Sequence, residues 1–77
     1  MTQKEFMSKN ELLAIRGKLA LTQQDFADYY GFKKSRIKDW EQGRSPIDLP
    51  NAIYLMAISC FPRAIRKIAV TIMQRSI

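Results

Sequence analysis

The polar residues between Lys33 and Asp39 are the ones in this chain whose types and spacing are best suited to chemistry. Ile37 and Trp40 are three positions apart, so a helix through them turns one apolar face toward a core. The positions left facing outward carry ammonium groups, a hydroxyl and a carboxylate, at Lys33, Lys34, Ser35, Lys38 and Asp39. Such groups donate to and accept from phosphates and base edges, so this face is suited to a nucleic acid.

The segment from Gln23 to Trp40 is predicted to position this face by folding as a helix, a tight turn and a second helix. Small Ala27 suits the close approach of two steeply crossing helices, and Gly31 suits a turn that requires a positive φ. Thr22 carries a hydroxyl that can cap the first of these helices, which then lasts about two turns. The second is expected from Lys34 to Gln42.

Three further helices are predicted from their start signals. Ser8, with an acidic residue three positions later, has the form of a capping box that begins helix 1. Asp48 is a suitable cap for helix 4, because Pro50 then falls in the first turn, where its missing N–H costs little. Pro62 similarly opens helix 5. Since no segment alternates between polar and apolar residues like a strand, the sequence predicts an all-α fold.

The predicted architecture is a compact five-helix domain over residues 1–77, with a frayed segment from Met1 to Met7. Helical spacing predicts core positions on the first four helices, which are Leu12, Ile15, Leu19, Phe26, Ala27, Tyr30, Ile37, Trp40, Ile53, Leu55, Met56 and Ile58. Cys60 is expected to be a small buried hydrophobe. Helix 5 is amphipathic: Ile65, Ile68, Ala69, Ile72 and Met73 share its apolar side, and Arg63, Arg66, Lys67 and Arg75 fill other positions.

The charge of the chain favours a polyanionic partner. It has 13 Lys and Arg against 7 Asp and Glu, a formal charge of +6 and a pI near 9.8. Residues 33–44 hold five bases and two acids, and residues 63–77 hold four bases and no acid. Because the excess is confined to these two patches, it indicates specific surfaces rather than a generally basic composition.

Several classes of function find no support in the composition. Cys60 is the only cysteine and the chain has no histidine, which excludes an internal disulfide and a Cys/His zinc site. No glycine-rich phosphate loop or nucleophile with a base is present, so we expect no enzyme, no catalytic residue and no cofactor or metal. The first residues lack the apolar core of a signal peptide and no apolar run spans a bilayer, so a cytoplasmic protein is expected.

The chain resembles the helix-turn-helix family of phage Cro and repressor proteins, the XRE family, and specifically the members that end in Trp-Glu-x-Gly. The resemblance covers roughly residues 11–60. It is carried by Leu19, Leu21, Thr22, Gln23, Phe26, Ala27, Gly31, Ile37, Trp40, Glu41, Gly43 and Pro46. Residues 39–43, Asp-Trp-Glu-Gln-Gly, are also similar to HigA-type antitoxins. The resemblance implies a lambda-repressor-like DNA-binding fold in which helix 3 is the recognition helix.

The resemblance also implies roles for individual residues. Gln23, at the start of helix 2, would bind a DNA phosphate, and Arg16 would pair with Glu41 as a structural pair. Where the recognition helix of this family meets base edges, this chain has Lys34, Ser35, Lys38 and Asp39. Arg36 projects sideways and Arg44 lies in the following loop, so both are expected to hold phosphates.

Lys33 and Asp39 each have more than one possible role. Lys33 is assigned to the DNA backbone but can also reach a base. Asp39 can contact a base, form a salt bridge with a neighbouring lysine, or reject wrong sequences by repulsion.

Lys33 departs from the family, which commonly has Ser or Thr as the cap of helix 3. Lysine cannot accept from the free N–H groups, and its charge opposes the helix dipole at that end. The loss is about 1 kcal/mol, so the start of helix 3 is predicted to be ordered by an arriving phosphate.

The predicted partners are a double-stranded DNA operator and a second copy of the chain. A short recognition helix reads only a few base pairs, so a two-fold dimer on paired half-sites is expected, with helix 5 (residues 62–77) contributing to dimerisation. The resemblance and the lack of a second domain favour an autorepressor of a phage or mobile element. The alternative is an antitoxin that binds a toxin and represses its own operon. A membrane-surface role for helix 5 ranks below both.

Overall fold

The computed structural model describes residues 4–75, which fold as five helices in sequence. Their bounds are α1 Lys9–Lys18, α2 Gln23–Tyr30, α3 Lys34–Glu41, α4 Leu49–Cys60 and α5 Pro62–Gln74. The predicted all-α class and all five predicted helices are therefore confirmed, with α3 ending one residue before the predicted Gln42, which is its C-cap. In the described part of the chain, no helix is long and apolar enough to cross a membrane.

The starts of three helices are determined by side chains within the same turn. The Glu11 N–H donates to Ser8 Oγ at 3.1 Å while Glu11 Oε1 accepts from the Ser8 N–H, which completes the predicted capping box of α1. Thr22 caps α2 by accepting from the Asp25 N–H at 3.0 Å. Asp48 caps α4 in the same way. These bonds satisfy backbone donors that a helix start otherwise leaves without partners.

The turn between α2 and α3 depends on the left-handed conformation of Gly31. This glycine has φ of +81°, and its N–H donates to the Ala27 carbonyl at 2.9 Å, which ends α2. A residue with a Cβ would be strained there, so the predicted positive φ at Gly31 is confirmed.

The core is built from buried side chains of α1, α2, α3 and α4, together with Ile47 from the loop before α4. Its largest fully buried side chains are Leu12, Phe26, Ile37, Ile47, Leu55 and Ile58. α3 packs on α1 and α2, whereas α5 packs on α2 and α4 at the other side of the molecule. α3 is thus held by two neighbours, and within residues 4–75 its outer face is exposed.

Hydrogen bonds from two tyrosines join α2 to α5 and α4 to α2. The Tyr30 hydroxyl donates to the Pro62 carbonyl at 3.0 Å, and the Tyr54 hydroxyl donates to the Tyr30 carbonyl at 2.8 Å. Burial raises the pKa of both phenols, with Arg66 opposing the rise at Tyr30 and Tyr30 adding to it at Tyr54. Both hydroxyls therefore remain protonated donors at neutral pH.

The outer face of α4 corrects three predictions. Ile53 and Met56 were expected in the core but are 62% and 48% exposed, and Cys60 is exposed rather than buried. The inner face of α4 is already filled by Ala52, Leu55 and Ile58. Since Ile53, Met56 and Cys60 lie on the opposite arc of the helix, they turn away from the core.

The N-terminal segment corrects another prediction. Met7 was expected to be frayed, yet it is buried and forms an isolated antiparallel bridge with Ile47. The Phe6 N–H donates to the Ile47 carbonyl at 2.9 Å. Burial of Met7 and Ile47 against each other holds this segment on the loop before α4. The first three residues of the predicted frayed segment lie outside the described residues.

Candidate nucleic-acid interface

The orientation of α3 is fixed by aromatic packing beneath it. Ile37 and Trp40 are buried, as predicted from their spacing. Phe32, in the turn before α3, stacks on Phe26 with ring centroids 5.9 Å apart and meets Trp40 edge-on at 5.6 Å. Aromatic pairs of this kind add stabilisation beyond the area they bury. Phe32 thus connects the two helices, a role that its position in the turn did not reveal.

The outer face of α3 gathers the predicted base-contacting residues. Lys34, Ser35 and Lys38 are all exposed, and Asp39 is partly exposed. Lys34 and Lys38 are four residues apart, and Ser35 and Lys38 are three apart, so they occupy one side of the helix. The structure places two ammonium groups and a hydroxyl together on a surface that no other element of the described residues 4–75 covers.

The first turn of α3 is positively charged and has no side-chain cap. Lys33 occupies the N-cap position with extended backbone, and its side chain makes no capping hydrogen bond. The free N–H groups there carry the positive end of the helix dipole, and no acidic residue lies in the first turn. A phosphate at this end would meet backbone donors together with the Lys33 and Lys34 side chains.

Arginines lie at the two edges of this face. The Arg36 guanidinium lies over the Trp40 ring, 5.6 Å from its centroid, which draws the side chain along the flank of α3. Arg44 follows α3, and its N–H donates to the Asp39 carbonyl at 2.9 Å. Its guanidinium is 4.0 Å from the Asp39 carboxylate. A salt bridge was one of three alternatives for Asp39, but the cation beside it is Arg44 rather than a lysine. This pair is exposed and contributes little energy, so both groups remain free to bind elsewhere.

A three-residue cluster connects the helices beneath the interface. Arg16 on α1 donates through Nε and Nη2 to the two oxygens of Glu41 on α3, at 2.7 and 2.8 Å. Its Nη1 also donates to the Leu21 carbonyl at 3.0 Å. The Glu41 side chain is 5% exposed and that of Arg16 is 22% exposed. The two-bond geometry fixes the distance and rotation of α3 relative to α1.

Gln23 joins the same cluster from the first turn of α2. Its Nε2 donates to Glu41 Oε1 at 2.9 Å, which holds the amide beside the α3 carboxylate. The predicted phosphate contact of Gln23 therefore starts from a side chain already oriented by Glu41. This bond between positions 18 residues apart carried no local sequence signal.

The protonation states of the Arg16–Glu41 pair follow from their surroundings. Burial alone raises the pKa of Glu41, but hydrogen bonds from Arg16 and Gln23, with the Arg16 charge, outweigh it and lower the pKa below its usual value. The hydrogen bond to Glu41 raises the pKa of Arg16, against a smaller opposing effect of burial. Both residues are therefore charged at neutral pH.

The basic residues of α5 form a second surface. The Arg66 guanidinium stacks on the Tyr29 ring of α2, 3.5 Å from its centroid. Arg63 and Arg66, with Tyr29 and Pro62, line a cleft of about 250 Å³ between α2 and α5. The contact between Tyr29 and Arg66 was missed, because it depends on how α5 crosses α2. Among residues 4–75, no group of three His, Cys, Asp or Glu side chains is placed to hold a metal ion.

Comparisons with known proteins agree with this geometry. The family model described as Helix-turn-helix matches residues 12–57. A crystal structure of an HTH XRE-family like protein from Agrobacterium tumefaciens is 36% identical to this chain, with a TM-score of 0.72, and the match covers 79% of this chain and 95% of that one. No curated protein matches the chain. With its helix-turn-helix formed by α2 and α3, the chain belongs to the XRE-family helix-turn-helix proteins, a family of DNA-binding transcription regulators.

Proposed function

We propose that this protein is a sequence-specific autorepressor that binds a palindromic operator as a homodimer, with α3 in the major groove. The observation that carries the proposal is the outer face of α3, where Lys34, Ser35 and Lys38 are exposed on a helix held by buried Ile37 and Trp40. A rigid helix with free donors on one side is what direct reading of base edges requires.

In this proposal the interface residues divide into two groups. The ammonium groups of Lys34 and Lys38 donate hydrogen bonds to guanine O6 and N7. The Ser35 hydroxyl can form a hydrogen bond with either base of a pair, and the Asp39 carboxylate accepts one from cytosine N4. Contacts to the DNA backbone come from Gln23, Lys33, Arg36 and Arg44, which surround the base-reading face. The orientation of Arg36 by Trp40 and the bond from Gln23 to Glu41 support this division, because both preorganise backbone contacts.

The length of α3 supports a dimer. At 1.5 Å per residue, its eight residues extend about 12 Å, enough to read only a few base pairs. Two copies related by a two-fold axis would read half-sites about one helical turn apart, and the operator would then be palindromic.

Selection of bound fragments from random DNA, followed by footprinting, tests the proposal. The expected result is one enriched palindrome with half-sites spaced by about 10 base pairs. Affinity for it should exceed that for random DNA by at least about 10³-fold at physiological salt. Equal affinity for selected and random DNA would exclude sequence-specific recognition.

The division of contacts can be tested with two alanine variants. Lys34→Ala should weaken operator binding by about 1–3 kcal/mol and relax the preference at one base position. Arg44→Ala should weaken binding to all DNA sequences alike. It should also reduce the number of counterions released on binding, read from the salt dependence of the affinity, by about one. Each variant removes one positive charge from the interface, so each serves as the charge control of the other. Identical profiles for the two would show that the assignment is wrong.

An antitoxin role is the second candidate. It would use the same α3 face on the DNA and add a surface for a toxin, and exposed apolar residues on α5 such as Ile68 and Ile72 favour a protein contact there. A toxin-sized reading frame beside the gene, whose product co-purifies with this chain, would support the antitoxin role. A neighbourhood typical of a phage, without such a frame, would favour a stand-alone autorepressor.

A further inference from the structure

The cleft between α2 and α5 is separate from the outer face of α3, because α5 packs on α2 and α4 whereas α3 packs on α1 and α2. Its volume is about 250 Å³. The walls of the cleft are mainly apolar and come from the end of α1, the link to α2, and the two helices, at Leu19, Leu21, Tyr29 and Pro62. We call this space the α2–α5 cleft.

Two arginines, one helical turn apart on α5, form the border of the α2–α5 cleft. Arg63 and Arg66 line it and are both exposed. The Arg66 guanidinium lies 3.5 Å from the centroid of the Tyr29 ring, and its charge opposes the rise that burial causes in the pKa of Tyr30, another lining residue. Stacking on a ring holds the guanidinium plane in place and leaves its N–H edge available to an acceptor. Arg66 is therefore oriented in advance to hold a carboxylate through two hydrogen bonds.

The positive charge of this border is not neutralised by the residues around it. The α2–α5 cleft has no Asp or Glu among its lining residues. Within residues 4–75, neither Arg63 nor Arg66 takes part in a salt bridge. The sequence from position 63 to the C-terminus contains four bases and no acid. Electrostatic complementarity therefore favours an acidic occupant.

The size of the α2–α5 cleft indicates that it holds a side chain of another protein rather than a free small molecule. Pockets for small molecules usually measure about 300–1,000 Å³ and enclose most of the ligand. This cleft is smaller, at about 250 Å³, and its arginine border is exposed. One aromatic side chain is an occupant of suitable size, and aromatic anchors seated in pockets contribute much of the binding energy of protein contacts.

Duplex DNA would satisfy the arginines of the cleft but not its apolar walls. The phosphates of a duplex lie outside, while its bases are stacked within and cannot enter a cleft unless they are flipped out at an energetic cost. An acidic protein segment carries carboxylates and an apolar side chain next to each other. The combination of apolar walls and a basic border therefore matches a protein segment better than a duplex.

We propose that the α2–α5 cleft is a docking site for an acidic segment of a partner protein. One aromatic side chain of the segment would pack against Leu19, Leu21 and Pro62, and Asp or Glu residues beside it would pair with Arg63 and Arg66. The contact does not depend on the operator binding proposed above, because it uses no residue of the α3 face. The partner could therefore bind this chain while α3 is on DNA.

Selection from a random peptide library tests the docking site. The library is displayed on phage and selected on the whole chain in the presence of excess duplex DNA, which occupies the basic face of α3. The enriched peptides should share one Phe, Tyr or Trp with at least two Asp or Glu residues beside it. Enrichment of peptides without this combination, or of none at all, would overturn the proposal.

Arginine variants place the enriched peptide on the molecule. A fluorescein-labelled synthetic copy gives the dissociation constant by anisotropy, and Arg66→Gln should raise this constant by about tenfold or more. Arg75→Gln is the matched control, because Arg75 is an exposed residue at the end of α5 that does not line the cleft. It removes the same charge and should leave the constant within about threefold of the wild type. Arg63→Gln gives a second measurement if Arg66→Gln loses the wild-type circular dichroism.

The basic face of α3 is the competing site for an acidic peptide, and two measurements exclude it. Lys34→Ala should change the peptide dissociation constant by less than about threefold, and duplex DNA should not displace the peptide. Displacement by DNA, with weakening by Lys34→Ala but not by Arg66→Gln, would place the peptide on α3 and overturn the proposal.

DNA binding by the same variants separates this proposal from the proposed function. If Arg66→Gln, but not Arg75→Gln, reduced the number of counterions released on DNA binding, the cleft would be a site for DNA phosphates and the proposal would be wrong. Peptide binding that depends on Arg66, in a chain that prefers no DNA sequence, would support the docking site and contradict only the proposed function.

Discussion

Glu41 is the residue on which the geometry of the interface depends most. Its carboxylate accepts from Arg16 of α1 and Gln23 of α2 while it belongs to α3, so a single side chain joins three helices. A small rotation of α3 would break the two-bond contact with Arg16, since such pairs are strongly directional. Loss of this carboxylate should therefore change both the stability of the fold and the position of Lys34 and Lys38.

Glu41→Gln is expected to lower the free energy of unfolding at pH 7 by about 2 kcal/mol, because it replaces charge-assisted bonds and leaves Arg16 without a counter-ion. Partial exposure of Arg16 keeps the loss below that of a fully buried pair. Chemical denaturation measures the change. Asp28→Asn makes the same chemical change at an exposed position and should cost less than about 0.5 kcal/mol.

The same variant should change the pH dependence of stability. The pKa of Glu41 is lowered in the folded state, so its contribution is fully present above the unfolded value of about 4.3 and is lost as pH falls through the folded value. The difference in unfolding free energy between wild type and Glu41→Gln should therefore shrink as the pH is lowered below about 4. A difference that stayed constant down to pH 2 would contradict the assigned role of this carboxylate.

The proposed contact of Lys33 with the DNA backbone is made by a residue that lowers the stability of α3. Lys33→Ser supplies the missing acceptor at the start of α3 and should raise the free energy of unfolding by about 1 kcal/mol. It also removes one cation from the proposed interface, so binding to all DNA sequences should weaken. The number of counterions released on binding, read from the salt dependence of the affinity, should fall by about one. Lys38→Ser removes the same charge inside α3 and should not stabilise the protein. If Lys33→Ser is no more stable than the wild type, the missing cap is not what limits α3.

At the scale of whole elements, the helix starts were predictable because each cap lies within three residues of the group it bonds. Ser8, Thr22 and Asp48 have this property, and all three predictions were correct. The basic face of α3 was equally predictable from the sequence, since the spacing of Ile37 and Trp40 determines which positions of the helix face outward.

Contacts between distant parts of the chain could not be predicted in this way. The bridge from Met7 to Ile47 and the stacking of Arg66 on Tyr29 join residues far apart in sequence. The exposure of Ile53 depends on which arc of α4 the other helices cover, and apolar residues on all sides of α4 gave no period from which to choose.

The link between α1 and α2 contains a strained residue that gives an element-scale prediction. Ala20 has φ of +56°, the left-handed region, just after the end of α1. That conformation costs alanine about 1–2 kcal/mol, and glycine adopts it freely but loses about 0.4–1 kcal/mol through its greater freedom when unfolded. Ala20→Gly should therefore raise the free energy of unfolding by about 0.5–1 kcal/mol. This can be measured by thermal or chemical denaturation.

The matched control for this turn lies in the preceding helix. Ala14→Gly makes the same substitution at an exposed position inside α1 and should lower the free energy of unfolding by about 1 kcal/mol. Opposite signs for the two variants would show that the turn conformation, rather than glycine itself, stabilises the protein. Destabilisation by both would mean that Ala20 is not strained.

For the molecule as a whole, size and charge distribution make two-fold binding feasible. The fold measures 37 × 26 × 20 Å, so two copies side by side can hold their α3 helices about 34 Å apart, one turn of DNA. The basic face of α3 and the neutral surface of α4 belong to different elements. In the proposed dimer, α3 would bind DNA while another part of the molecule contacts the second copy.

The spacing of half-sites is the prediction that tests this arrangement. Inserting about five base pairs into the centre of the selected operator rotates one half-site by half a turn, to the opposite face of the duplex. A dimer that holds its two α3 helices at a fixed separation cannot follow, so affinity should fall to that of a lone half-site. Inserting about ten base pairs restores the face but adds about 34 Å of separation, which a rigid dimer of this size also cannot span.

Monomeric binding predicts a different pattern, which provides the control. Two independent copies would bind each half-site with the same affinity at every spacing. Titrations of the wild type on the three operators therefore distinguish the two models. Spacing-independent binding by the wild type would show that the DNA is read by separate monomers, since only a fixed connection between recognition helices makes affinity depend on distance.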